Sequence, residues 1–196
     1  MDLVGPFNFV DSIVNHATAP QLNGATYVKT YKINGTTYVF AASENSSGIQ
    51  VLKLAGNGNL TPVAAVCDSS TVELSGINAL DIVKVGNEYF LGAIAYSGSA
   101  ITMFRIDDDG VGTDGHLVHV ETYRNFPSSG EPNVAQGLVQ NPSSIDGVKV
   151  GGNTFFVVSS YSSDALSVYK VKSNGQLVQT DSVLDTEKMN YQIDAA

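Results

Sequence analysis

The sequence predicts an all-β fold, a β-propeller of four-stranded antiparallel blades with three full repeats and partial blades at both ends. Three observations predict it. A strand-turn-strand pattern recurs three times along the chain in one register. Apolar and polar residues alternate within the recurring stretches, and the spacing between turns leaves no room for helices of about 10–12 residues. Radially packed sheets of this kind bury both faces of each blade.

The elements follow in chain order. Leu3 to Asp11 reads as the last strand of an incomplete blade, by comparison with Leu60 to Asp68. The first full repeat, about 24–68, contains Lys32-Ile33-Asn34-Gly35, Tyr38-Val39-Phe40, Gly48-Ile49-Gln50-Val51-Leu52-Lys53 and the turn Gly58-Asn59-Leu60 leading to Val66. The second, about 76–125, repeats these as Lys84-Val85-Gly86-Asn87, Phe90-Leu91-Gly92, Ala100-Ile101-Thr102-Met103-Phe104-Arg105 and Gly115-His116-Leu117. Its four strands, a to d, are expected at Ile77 to Val85, Tyr89 to Ala95, Ala100 to Ile106 and Leu117 to Tyr123. The third, about 143–185, gives Lys149-Val150-Gly151-Gly152, Phe155-Phe156-Val157, Ala165-Leu166-Ser167-Val168-Tyr169-Lys170 and Gly175-Gln176-Leu177. Tyr191 to Ala195 matches the opening of a fourth strand a. Residues 1–196 thus read as one partial or half-ring propeller. An unclosed ring exposes aggregation-prone edges, so the chain is expected either to be a fragment of a longer protein or to complete a ring with identical chains, most simply as a dimer.

On these residues the chain resembles a known family. Thr37 to Ser43, then Gly48 to Leu52, then Asn57-Gly58-Asn59-Leu60 looks like the repeat of lactonase-type propellers. It is also similar to propeller repeats of secreted bacterial proteins of the hemolysin-type calcium-binding group. The resemblance covers nearly the whole chain and rests on strand and turn positions. It implies a ring-opening hydrolase with its pocket at the mouth of the central channel, and an extracellular or periplasmic setting.

Composition narrows the partners. Nineteen acidic against ten basic residues give a net charge of −9, which repels phosphate backbones and anionic membranes. Nucleic acid is therefore excluded as an expected partner, and a small-molecule or carbohydrate ligand is retained. No stretch approaches the length of about 18 apolar residues that membrane insertion requires, and Met1-Asp2-Leu3-Val4-Gly5-Pro6 has neither the basic start nor the apolar core of a signal peptide. Cys67, the sole cysteine, follows the apolar run Val63-Ala64-Ala65-Val66 and is expected to be a buried small hydrophobe.

The leading site comes from the repeat. Asp81, Asp146 and Asp194 occupy one position of strand a, where the first repeat has Lys29. Strand a lines a propeller's channel, so the carboxylates would share an axial volume and repel one another unless a cation sat between them. Calcium, which takes six to eight oxygen ligands, suits that volume. The alternative is that each Asp caps a turn or bonds a neighbouring strand. A second acidic cluster, Asp107-Asp108-Asp109-Gly110-Val111-Gly112-Thr113-Asp114-Gly115, offers Asp107, Asp109 and Asp114 as calcium ligands in the c-to-d turn, or is a solvated hairpin. It lacks the Glu of an EF-hand's twelfth position.

Catalytic signatures are sparse. No Gly-x-Ser-x-Gly elbow, P-loop, His-Glu-x-x-His or dinucleotide fingerprint occurs. His116 and His119 are expected on opposite faces of strand d. His16 falls in the first d-to-a loop, with Glu73 and Glu131 in the later ones, which makes His16 and Glu131 the candidates for proton transfer. Tyr96 and Tyr161, at equivalent b-to-c positions with Glu44 in the first repeat, either bind ligand at the rim or pack between blades.

The resemblance, carried onto these residues, implies that a calcium ion held by Asp81, Asp146 and Asp194 polarises the carbonyl of a small lactone and lowers the pKa of attacking water. An acyl-homoserine lactone or a sugar lactone is the substrate class. The competing expectation is a non-catalytic, calcium-stabilised binding or spacer module of a larger secreted bacterial protein, which the low charge density, the Gly and Asn content and the incomplete repeats also suit. A structural fragment with no role of its own is the third reading.

Overall fold

The computed structural model describes residues 10–110, 112–124 and 138–185. They form twelve strands in three four-stranded antiparallel sheets. The first sheet is β1 (Ala25–Ile33), β2 (Thr36–Ser43), β3 (Gly48–Leu54) and β4 (Leu60–Cys67), in that spatial order. The second is β5 (Ile77–Val85), β6 (Glu88–Ala95), β7 (Ala100–Ile106) and β8 (Leu117–Arg124). The third is β9 (Pro142–Val150), β10 (Asn153–Ser160), β11 (Ala165–Val171) and β12 (Leu177–Leu184). Within each sheet every strand pairs with its sequence neighbour, as a chain of short hairpins requires.

The turns explain why the hairpins close where they do. Between β1 and β2, Asn34 and Gly35 both take positive φ, at 46° and 86°. That is the backbone of a two-residue hairpin turn, which Asn and Gly tolerate best. Gly151 and Gly152 do the same in the third sheet, at 57° and 81°. Each third strand also meets its fourth through a register shift at the same repeat position: Val51/Leu52, Met103/Phe104 and Val168/Tyr169. The repeat therefore extends to its irregularities.

The sheets pack face to face through two apolar seams. Phe40, Ile49 and Val51 of the first sheet meet Leu80, Leu91 and Phe104 of the second. On the opposite face of the second sheet, Phe90, Ile101 and Met103 meet Ile145, Phe156 and Tyr169 of the third. The middle sheet is covered on both faces, so β6 and β7 are buried almost throughout. In the third sheet the burial alternates, with Thr154, Phe156, Val158 and Ser160 inward and Phe155 and Val157 facing away. The first strands β1, β5 and β9 stand side by side, which puts strand a of each repeat on the inner edge.

Leu3 to Phe9 and Tyr191 to Ala195, the partial blades, lie outside the described residues, while Val10 and Asp11 carry no strand. Cys67 is exposed and not buried: it ends β4, the outermost strand of its sheet, where the residues alternate in exposure. Among the described residues, no helix is long and apolar enough to cross a membrane.

Candidate functional site

The side-by-side first strands bring the predicted position of strand a together. Lys29 Nζ lies 2.7 Å from Asp81 Oδ1. The same oxygen accepts the N–H of Ile82 at 2.7 Å, and Asp81 Oδ2 accepts the N–H of Gly147, on the third sheet, at 2.7 Å. Asp81 is 4% exposed, so this carboxylate is removed from water but satisfied from three directions. Gly147 makes the last contact possible: a Cβ there would run into Val83 Cγ1. Asp146 is exposed on the side of β9 that faces away from the second sheet. Asp81 holds the Lys29 ammonium charged beyond the ordinary lysine range, chiefly through their hydrogen bond, and the field of Asp146 adds to it.

A cleft of about 280 Å³ opens towards the hairpin ends of the same strands. Tyr31, Ile82, Lys84, Gly147, Lys149 and Thr154 are among the residues lining it. Lys84 and Lys149 occupy one repeat position, that of Lys32 in the first sheet. Lys84 Nζ donates to Tyr89 Oη at 2.9 Å and sits 4.5 Å from the centre of its ring. The sequence displays this lysine in every repeat, but beside a turn glycine it reads as a turn flank, and its place in a cleft is visible only once the sheets are assembled.

The other candidates are dispersed. Asp194 and Glu131 lie outside the described residues. In the c-to-d loop Asp107 Oδ2 accepts from Thr113 Oγ1 at 2.6 Å, and Asp114 Oδ1 accepts from the N–H of Gly110 at 2.7 Å. The Thr113 hydroxyl, more than any other neighbour, holds the Asp107 carboxyl below the usual range. Asp109 is exposed in the same loop, and Asn34 of the first sheet donates to the neighbouring Asp108 at 3.1 Å. Among the described residues, no group of three or more His, Cys, Asp or Glu side chains is placed to hold a metal ion.

His16 is exposed in a tight surface turn, where its Nδ1 accepts the N–H of Thr18 at 3.2 Å. Glu73 supports its own loop, accepting the N–H of Ser75 at 3.1 Å and facing Arg124 at 3.4 Å. His119 bonds Thr122 and lies edge-on to Phe104. Tyr96 and Tyr161 are both exposed in b-to-c turns, at 37% and 71%.

No protein-family model matches the chain, and no curated protein matches it. Solved structures do. The periplasmic gluconolactonase of Pseudomonas aeruginosa is 22% identical over 74% of this chain and 36% of its own, with a TM-score of 0.54. The α-L-arabinofuranosidase of Lactobacillus brevis is 13% identical over 84% of this chain and 54% of its own, at 0.55. An exo-β-1,3-galactanase of Phanerochaete chrysosporium with galactose is 8% identical over 80% and 38%, also at 0.55. The chain thus spans between about a third and somewhat over half of the length of these proteins. At such identities the likeness concerns the fold: three four-stranded antiparallel sheets, packed face to face in the propeller-like arrangement these structures share.

Proposed function

We propose that the chain forms part of the axial wall of a propeller-fold hydrolase acting on a small cyclic substrate, with a lactone as the first class and a sugar as the second. The observation that carries the reading is the axial arrangement itself. A buried carboxylate that holds Lys29 charged also bonds Gly147, and Gly147 lines a cleft of about 280 Å³, close to the small end of the size range of ligand sites. Opening a lactone puts negative charge first on the carbonyl oxygen and then on a carboxylate product. Lys29 suits the first, and Lys84 and Lys149 suit the second. His16 precedes β1, at the end of that strand remote from the cleft, so proton transfer by His16 and Glu131 is proposed for the d-to-a mouth and not for a substrate in this cleft. The neighbours' hydrolytic activities on lactones and glycosides support the reading as an analogy of fold.

Calcium does not fit Asp81 in this arrangement, because its oxygens already accept from one ammonium and two backbone N–H groups. Calcium assistance, with Asp107, Asp109 and Asp114 or with Asp146 and Asp194 as ligands, is kept as a separate arm of the test. An extracellular or periplasmic setting belongs to the same proposal, supported by the periplasmic neighbour.

One observation favours a second reading. A carboxylate satisfied from three sides can serve purely as a fastener, which suits a non-catalytic binding or spacer module of a larger secreted bacterial protein. Proton release from gluconolactone and from acyl-homoserine lactones, measured with the purified chain in calcium and after chelation, separates the two. The hydrolase reading expects turnover above the spontaneous rate that falls at least about tenfold in Lys29→Met, the loss of roughly one charge-assisted contact. Loss on chelation would bring calcium back into the reaction. A rate equal to the spontaneous one in both conditions removes the hydrolase and leaves the module.

A further inference from the structure

Consecutive repeats place equivalent residues in opposite surroundings. Ile101 is 0% exposed in the seam between the second and third sheets, whereas Leu166, its equivalent one repeat later, is 47% exposed. On the same open face of the third sheet lie Val148, Phe155 and Val183, whose equivalents Val83, Phe90 and Tyr123 lie in or against the closed seam. The first sheet carries the converse. Val28, on the face turned away from the second sheet, is 61% exposed, while its equivalent Leu80 is 0% exposed. Each closed seam joins the forward face of one sheet to the backward face of the next. Among the described residues, one face of each kind is therefore left without a sheet packed on it.

The polar groups repeat as well. In the closed seam two carboxylates of the second sheet reach forward to backbone N–H groups of the third: Asp81 to Gly147 and Glu121 to Leu177. The open face bears a carboxylate at both equivalent positions. Asp146 aligns with Asp81, and Asp181 stands opposite Val168 as Glu121 stands opposite Met103. Both are exposed. Asp181 holds the N–H of Ser182 with Oδ1, as Asp81 holds that of Ile82. On the first sheet the positions that correspond to Gly147 and Leu177 are Thr30 and Leu60, and Leu60 already donates its N–H to Asp11 at 2.8 Å. The face is thus equipped for another sheet of the same repeat, and this chain owns one.

We propose that the open face of the third sheet is a docking surface for a second copy of this chain, which seats the outer face of its first sheet there, head to tail. Asp146 then meets the N–H of the partner's Thr30, and Asp181 shares that of the partner's Leu60 with the partner's Asp11. The contact is heterologous, so each copy uses two different faces. It rests on the fold alone and stands or falls apart from any activity.

The test is light scattering after size exclusion, on the full chain, across a wide range of concentrations. The wild type is expected to associate. Val28→Asp and Leu166→Asp, at exposed positions, should each remain monomeric while keeping the circular dichroism of the folded chain. An equimolar mixture should recover a dimer of one copy of each, because one intact face survives on either variant. A wild type that stays monomeric at every concentration overturns the proposal, whether the faces are then bare, covered by the chain's own termini or matched by a sheet of a longer chain. So does a dimer that Leu166→Asp breaks and Val28→Asp leaves intact, which would mean that like faces pair.

Discussion

The two closed seams are built from one repeat yet fastened differently. Between the first and second sheets the axial link is Lys29 to Asp81, a long cationic side chain spanning to a carboxylate. Between the second and third sheets the same Asp81 reaches backbone directly, at the N–H of Gly147. At the repeat position where the third sheet has Gly147 the second sheet has Ile82, fully clothed in the first seam's apolar cluster. A glycine lets two strands approach until a short Asp can bond main chain, whereas a branched side chain keeps them apart and a lysine must bridge. One repeat thus accepts two solutions to the same problem, provided that reach and bulk change together.

Because Asp81 belongs to both seams, its removal is the largest effect expected among the polar fasteners. Asp81→Ala removes the cross-seam acceptor of the buried Gly147 N–H together with the partner of Lys29, which is partly open to water, and should cost about 2–4 kcal/mol, most of it from the orphaned backbone donor. Lys29→Met touches the first seam alone. It should cost about 1–3 kcal/mol, through the buried carboxylate left without its cation. Urea unfolding measures both, and a smaller loss for Asp81→Ala than for Lys29→Met would show that the two seams do not share this residue as a common fastener.

Bulk provides the next break. Ile82→Ala opens a cavity in the first seam and should cost about 2–5 kcal/mol. Gly147→Ala does the reverse at the equivalent place, pressing a methyl against Val83 and Phe156, and should cost about 1–3 kcal/mol. If both substitutions destabilise, one repeat position demands a large side chain in one sheet and none in the next. A neutral Gly147→Ala would mean that β9 can retreat without losing the bond to Asp81.

Much of this was legible in the sequence because its signals are local. Alternation sets strands, and Asn34-Gly35 or Gly151-Gly152 sets a hairpin wherever it falls. The alignment of Lys29, Asp81 and Asp146 on the inner strand was legible for the same reason. What those groups do was not. Whether Asp81 faces a cation, a lysine or a backbone N–H depends on how closely neighbouring sheets approach, and that distance is set by side chains such as Ile82 and Gly147 acting across the seam. Cys67 misleads for a related reason: an apolar run marks a strand, but burial depends on which sheet covers it, and β4 is outermost. The cleft lysines, Lys84 and Lys149, carry a visible repeat whose meaning appears only when three strands stand side by side.

The smallest effect separates the seams by pH. Burial, first among its causes, raises the Glu121 carboxyl, although the N–H of Leu177 pulls the other way. A raised carboxyl binds its proton more tightly in the folded chain. Its contribution to stability is therefore full below the unfolded value of about 4.3 and is lost as pH rises through the folded value. Lys29 is also raised, by Asp81 first, so its contribution holds below the unfolded lysine value of about 10.4 and is lost as pH climbs through the folded one. The second seam should thus weaken relative to Glu121→Gln on leaving the acid range, and the first should lose its advantage over Lys29→Met only in strong alkali. Melting temperatures followed against pH should show the wild type falling relative to Glu121→Gln as the pH leaves the acid range. If both differences moved in the same pH window, the two seams would be answering to a shared group, and the carboxylate common to their axial ends, Asp81, would be the one to replace next.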